Sequence, residues 1–317
     1  VYVEIVTAHN MQVSEYVGVL LAIFSICSIL VQVLVLIAVF HERKYTKNVF
    51  YTLYAVGSIA DMLSLVDAVF LYSSLTGILQ FQFFGSDFTA KVSHHIVWGA
   101  RSSQLLTVLL IASNRFTAIY FPLKQPTIWN RITEFACAFF QISSIIVNGI
   151  GATIILRPIW IKSYYGGIVT LYDTEDSIRK PVFICALMSQ IFVSMAIMLF
   201  YVAIFRKFKS RKSYHAIDTS LYWFAISICA IEILSIVQHT VSTQFNWTPE
   251  SKTCLFIIQT VVYNSIPPFL FLIFSKNIRK HMYFTVKRHR PSLIIQLSHA
   301  LHFRDSRRLS TSITAFT

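Results

Sequence analysis

Seven apolar stretches dominate the chain, each about as long as a helix needs to cross a bilayer. They run over 16–40, 49–76, 92–120, 132–156, 181–205, 218–242 and 253–275. A helix rises about 1.5 Å per residue, so about 20 apolar residues cross a hydrocarbon core of ~30 Å. Each stretch is apolar on all sides, whereas a membrane barrel alternates over segments of about ten residues. Inside hydrocarbon every backbone N–H and C=O must be paired within the structure, and a helix does this by itself. The expected fold is therefore all-α, a seven-transmembrane-helix bundle. The first stretch, Tyr16 to Phe40, contains one strongly polar side chain, Gln32. It is too long for the apolar part of a cleavable signal peptide and is expected to insert as a signal anchor.

Composition supports lipid as the solvent. Hydrophobic types make up 55% of the 317 residues and charged types 13%. A soluble domain carries about 25% charged residues. The formal charge is +13. The basic residues lie in short segments between apolar stretches, not on one face of a soluble fold, so nucleic acid is not an expected partner.

Lys and Arg also give an orientation. One side receives Arg43, Lys44, Lys47, Arg115, Lys124, Arg131, the cluster from Arg206 to Lys212 and the tail from Lys276 to Arg308, 20 residues in all. The other side receives Lys91, Arg157, Lys162, Arg179, Lys180 and Lys252, which is 6. This bias places the C-terminus in the cytoplasm and, with seven spans, the N-terminus outside. Residues 1–286 are expected to form the transmembrane domain and 287–317 a basic, disordered cytoplasmic tail. Ser275 to Val286 has the composition of a short amphipathic helix on the inner leaflet. Arg307-Arg308-Leu309-Ser310 fits a basophilic kinase site, but such short patterns are common and a disordered tail near acidic lipid is the favoured reading. The sequon Asn246-Trp247-Thr248 falls in an outside loop, but the following Pro249 disfavours glycosylation there. The five cysteines (Cys27, Cys137, Cys185, Cys229 and Cys254) lie in or at the edges of apolar stretches and read as packing residues.

Polar side chains inside the spans are few, and each costs about 2.5–3.5 kcal/mol if charged and unpaired. They are Asp61 and Asp67 in the second stretch; Arg101, Gln104 and Arg115 in the third; Glu232, Gln238 and His239 in the sixth; Gln259 and Asn264 in the seventh. Positions 104 and 115 are close to three full turns apart, and 101 lies one turn from 104, so all three form a stripe facing the bundle interior. Arg101 calls for an acidic partner, either Asp67 or Glu232. The pair reads as a structural lock on the bundle, as an anchor for an anionic or polar small molecule, or as both. Trp98, Gln238 and His239 are candidates to line the same cavity, with a satisfied core histidine as the alternative for His239.

Asn114-Arg115-Phe116-Thr117-Ala118-Ile119-Tyr120-Phe121-Pro122-Leu123 resembles the Asp-Arg-Tyr segment of rhodopsin-like G-protein-coupled receptors. Asn114, Arg115, Phe116, Pro122 and Leu123 carry that likeness. Ala60-Asp61 resembles the family's buried acid, with Gln104 and Asn264 placed as its partners, and the resemblance allows a sodium ion near Asp61. Gln32-Val33-Leu34-Val35 is similar to the first-helix signature. Asn264-Ser265-Ile266-Pro267-Pro268-Phe269-Leu270-Phe271 resembles the Asn-Pro-x-x-Tyr segment, with Pro267 in place of its Asn and Phe271 in place of its Tyr. The family's outer cysteine pair is missing. The sixth stretch has Cys229-Ala230-Ile231-Glu232 where Trp and Pro are usual.

Ile59-Ala60-Asp61-Met62-Leu63-Ser64, Ser113 to Ala118, Phe121 to Lys124 and Ile128-Trp129 resemble the divergent serpentine chemoreceptors of nematodes, most closely the Srv class within the Srg superfamily. The resemblance implies a chemosensory receptor of the plasma membrane, in sensory cilia, that binds a small molecule outside and activates a heterotrimeric G protein inside. It implies no enzyme activity, and no catalytic set, phosphate loop or metal-spaced cluster is present in the sequence. A transporter or channel is the alternative class, although repeats and midplane helix breaks are absent. A receptor-like protein that does not signal is the third reading.

Overall fold

A chain this apolar must satisfy its backbone locally, and it does so as helix over most of its length. The structure, a computed structural model, describes residues 2–46, 49–75, 87–162, 168–210, 219–244 and 249–274. The elements in order are α1 (Tyr2–Thr46), α2 (Val49–Leu75), α3 (Asp87–Tyr120), α4 (Gln125–Ile128), α5 (Arg131–Leu156), β1 (Pro158–Lys162), β2 (Ile168–Tyr172), α6 (Asp176–Ser210), α7 (Thr219–Gln244) and α8 (Pro249–Phe274). Six helices contain stretches long and apolar enough to cross a membrane: Val19–His41, Val49–Ser74, Asp87–Tyr120, Arg131–Leu156, Asp176–Lys207 and Ser251–Ile273. The remaining long helix, α7, has 26 residues, a length of about 39 Å. The protein is an all-α, multi-pass membrane bundle. Large side chains such as Leu20, Phe192, Leu199 and Leu234 face outward, as lipid permits and water does not.

Helix α3 occupies the centre and packs on α2, α5 and α6. Its approach to α5 depends on small residues. A Cβ at Gly99 would lie 2.3 Å from the Ile145 carbonyl oxygen, so the two backbones meet with no room for a side chain. Close approach through small residues is how membrane helices gain packing energy when lipid is as apolar as their side chains. Hydroxyls along the spans are absorbed locally: Ser25, Ser28, Ser102, Thr107 and Ser113 each donate to the carbonyl four residues earlier.

The chain between α5 and α6, expected only to be an outer segment, contains an antiparallel hairpin with Pro158 opposite Tyr172 and Lys162 opposite Ile168. Arg157 ends α5 in the left-handed region at φ 45°, its N–H bonded to the Thr153 carbonyl. Pro158 then cannot continue the helix. The Thr174 hydroxyl bonds the Ile155 and Leu156 carbonyls at 3.1 and 2.8 Å, which satisfies orphan acceptors at the end of α5. Trp160 of the hairpin donates to the Thr89 hydroxyl at 3.0 Å and packs edge-on against Phe70. The hairpin thus covers one end of the bundle. The short α4 and the N-cap Asn130, which accepts from the Thr133 N–H at 2.9 Å, mark the opposite end.

Helix α6 begins at Asp176, five residues before the expected span. Asp176 lies in its first turn and pairs with Arg179 and, at 3.4 Å, with Lys180. Acid near a helix N-terminus and i,i+4 pairing favour this extension. The seventh-helix prolines Pro267 and Pro268 lie inside α8. The expected amphipathic helix, the tail and Asn246 lie outside the described residues.

Candidate functional site

The interior carries three polar or aromatic layers, stacked from the hairpin end to the α4 end. The layer nearest the hairpin is aromatic. His94 and Trp98 of α3, Phe183 of α6 and Tyr172 of β2 form a closed ring of contacts. Centroid separations are 5.7 Å for His94–Trp98, 5.5 Å for Trp98–Phe183, 5.7 Å for Phe183–Tyr172 and 5.3 Å for Tyr172–His94. Three are edge-to-face and one is tilted, geometries the ring quadrupoles favour. His94 also meets the Thr153 hydroxyl at 3.2 Å. Burial pushes the Tyr172 phenol up to about 12, against smaller downward effects of Trp98 and Arg179.

One turn below Trp98 lies the charged layer. The Arg101 Nη2 donates to Glu232 Oε2 at 3.0 Å and to Ser235 Oγ at 2.9 Å. Its guanidinium rests on the Tyr263 ring, 3.9 Å from the centroid, and the Tyr263 hydroxyl donates to Glu232 Oε1. Gln190 of α6 and Gln259 of α8 also donate to Ser235 Oγ. Glu232 is 1% exposed, whereas a quarter of the Arg101 side chain stays accessible. A buried carboxylate with only one cation beside it needs such added hydrogen bonds to survive in a low dielectric. The layer joins α3, α6, α7 and α8 mainly through side chains, with Gln259 also reaching the Ser235 carbonyl at 3.4 Å.

Of the two acids offered as partners for Arg101, Glu232 holds that position. Asp67 is buried on α2, beside Ser93. Gln238 donates to the Leu255 carbonyl at 2.6 Å and so braces α7 against α8. The His239 side chain is outside the described residues.

The next layer surrounds Asp61. Gln104 donates to the Asn264 side chain at 2.6 Å and to Ser64 Oγ at 3.3 Å. Asp61 accepts from Gln32 at 3.3 Å. A cavity of about 50 Å³ opens here, lined by Asp61, Ser58, Gln104, Thr107, Tyr263 and Pro267 among others. The Ser58 hydroxyl is buried with no hydrogen-bond partner among the described residues. An acid, the Ser58 hydroxyl beside that of Tyr54 and room for a water-sized occupant fit a monovalent cation.

At the α4 end, the Arg115 guanidinium lies over the Phe50 ring, 4.3 Å from the centroid. Phe50 and Tyr54 of α2 pack on Phe271 of α8 at 5.7 and 4.3 Å. An aromatic stack therefore links the double-proline segment of α8 to Arg115 of α3. Asn114 is 1% exposed. Phe116 stacks on Tyr120 at 4.6 Å and meets Phe200 of α6 at 5.1 Å. The Trp129 indole donates to the Thr117 hydroxyl at 2.7 Å, folding the segment with Pro122 and Leu123 back onto α3. Pro122 and Leu123 themselves are exposed.

Sequence reasoning did not single out Ser235, Gln190, Tyr263, Phe50, Tyr54 or, apart from Trp98, the members of the aromatic ring. Each is an ordinary residue for a membrane helix or loop until its neighbours are known. The hairpin had a signal: two β-branched runs flanking Gly166-Gly167.

A polytopic helical bundle with a charged layer buried beneath an aromatic roof, and a cationic rim at the other end, defines a serpentine membrane protein with internal polar sites. Residues 19–282 match the family described as Srg family chemoreceptor, and the chain belongs to that family. The comparison with curated proteins gives no match. Family membership makes the chain a chemoreceptor rather than an enzyme and implies a small-molecule ligand.

Proposed function

We propose that the chain is a seven-span chemosensory receptor of the Srv class in the plasma membrane. It binds a small molecule from outside and activates a heterotrimeric G protein inside. The N-terminus and the hairpin face outward and the tail from 287 to 317 lies in the cytoplasm. The Lys and Arg bias supports this orientation, and the motifs around Asp61, Arg115 and Trp129 support the class.

One observation carries the reading. Arg115, at the end of α3 opposite the hairpin, is held on Phe50 and connects through Phe271 to the proline-interrupted part of α8. A ligand that favours one arrangement of α3, α7 and α8 at the charged layer shifts the population of arrangements at this end. Opening there frees Arg115 and the segment through Phe116, Pro122 and Leu123 for the G protein. A sodium ion, where bound, would be held by Asp61 with Ser58 beside it, and it would supply charge compensation for a buried carboxylate.

The test is ligand-dependent G-protein activation in cells. Arg115→Ala abolishes it at equal surface expression. Substrate flux or current that persists without any G protein would instead identify a transporter or channel.

A further inference from the structure

We propose that the outward face of α5 around Asn148 docks a second copy of this chain, giving a parallel two-fold dimer within the bilayer in which the two Asn148 amides bond each other.

Asn148 lies well inside the span of α5, about 7 Å from the helix middle and about 12 Å from its nearer end. Its side chain is exposed, and at this depth an exposed side chain faces hydrocarbon. No hydrogen bond joins it to any described residue. It does not even return to the carbonyl one turn back, as Ser25, Ser28 and Ser102 do. Every other amide within the six apolar spans is buried or half-buried, from Gln32 on α1 to Asn264 on α8. Lipid offers a bare amide neither donor nor acceptor, which is costly. The Asn side chain is too short to reach the interface from this depth.

Symmetry selects the partner. All copies of the chain cross the membrane in one orientation, so a symmetric pair has its two-fold axis along the membrane normal. Such an axis sets residues of equal depth opposite each other, and Asn148 meets Asn148. An amide carries both donors and an acceptor, so this side chain complements its own copy: the Nδ2–H of each donates to the Oδ1 of the other. A helix of another protein would have to present a matching amide at the same depth, whereas a second copy does so by construction.

The face has the shape of a helix seam. Ser144, Asn148, Gly151 and Ile155 recur at intervals of four, three and four residues, so they lie in one line along α5. That line is about a quarter turn from the face where Gln141 and Gly149 meet Thr107 and His95 of α3. A Cβ at Gly151 would meet nothing within 4 Å, which leaves space beside the amide for the partner's backbone. Ser144 is small, and its hydroxyl is already spent on the Gln141 carbonyl at 2.7 Å. Close approach and side-chain hydrogen bonds are what join membrane helices where lipid gives no hydrophobic drive.

The experiment uses the full chain in lipid vesicles, labelled as separate donor and acceptor pools and diluted over a range of protein-to-lipid ratios. Energy transfer reads association, and none of the readouts involves a ligand or a G protein. Wild type is expected to associate reversibly. Asn148→Leu should raise the dissociation constant roughly five- to thirtyfold, the effect of an interhelical polar bond, without lowering the melting temperature, because leucine suits lipid. Asn148→Gln keeps the amide and should keep the association. Disulfide trapping reads the geometry. In a Cys27→Ala, Cys185→Ala background, which removes the exposed cysteines, copper–phenanthroline oxidation should cross-link Gly151→Cys and Ile155→Cys. It should not cross-link Ile146→Cys, an exposed position on the opposite side of α5. A chain that is monomeric at every dilution, an Asn148→Leu variant that associates as wild type does, or cross-linking at 146 equal to that at 151 would overturn the proposal. So would a lowered melting temperature in Asn148→Leu, which would give Asn148 a role in the fold of the single chain.

Discussion

The Arg115 guanidinium lies over the Phe50 ring, 4.3 Å from its centroid, so the cation in the last turns of α3 rests on an aromatic side chain of α2. A desolvated cation–π contact is worth up to about 2 kcal/mol. Its loss should favour arrangements in which Arg115 is free. Phe50→Leu is expected to raise ligand-free G-protein signalling by several-fold at matched surface expression, and Phe50→Trp to keep it low. Basal signalling in Phe50→Leu at the wild-type level would show that the contact does not hold the resting arrangement.

Glu232 and Arg101 should behave as a unit. Removing one member of a buried pair leaves an uncompensated charge and costs about 3–5 kcal/mol. Glu232→Met and Arg101→Met are each expected to lower thermal stability in detergent sharply. The double variant Arg101→Met with Glu232→Met should be more stable than either single variant. A strictly additive double-mutant cycle would mean that the pair is not coupled.

How far the sequence could be read depends on which forces act locally. Apolar length and Lys/Arg bias operate segment by segment, so each helix contains the stretch those signals mark, although α1 begins at Tyr2, well before the expected start at residue 16. Arg101 announced its need for an acid because a lone buried charge is expensive wherever it lies. Helical phase says which face a residue occupies and not which neighbouring helix it meets, so the choice between Asp67 and Glu232 waited for the packing. Gln104 and Asn264 stood out as candidate partners of Asp61, as Phe50 did not, because amides are conspicuous in an apolar helix and a phenylalanine is not; that they bond each other came only with the packing. Ser235 becomes a hub only because α3, α6 and α8 each send a donor to it.

Gly99 and Gly151 offer a paired test of the helix packing. A Cβ at Gly99 would press on the Ile145 carbonyl oxygen at 2.3 Å, whereas one at Gly151 meets nothing within 4 Å. Gly99→Ala forces α3 and α5 apart and should cost about 1–3 kcal/mol, the usual range for overpacking. Gly151→Ala should be neutral or stabilising, since alanine is favoured over glycine in a helix by about 1 kcal/mol. Melting temperatures of the two purified variants check this. Equal losses would place the contact between α3 and α5 elsewhere.

Tyr172 gives the hairpin a signature at alkaline pH. Burial raises its phenol from about 10 to about 12, because the low-dielectric ring of His94, Trp98 and Phe183 disfavours the phenolate. In the unfolded chain the same group ionises near 10. The folded state therefore holds this proton more tightly. Its contribution to stability is fully present below pH 10 and declines as pH rises from about 10 to about 12. The readout is a difference between wild type and one variant. Wild type should lose melting temperature more steeply than Tyr172→Phe across pH 10–12, and the two should run parallel between pH 7 and 9. Parallel curves over the whole range would mean that Tyr172 is open to water and that the hairpin does not close over the aromatic ring.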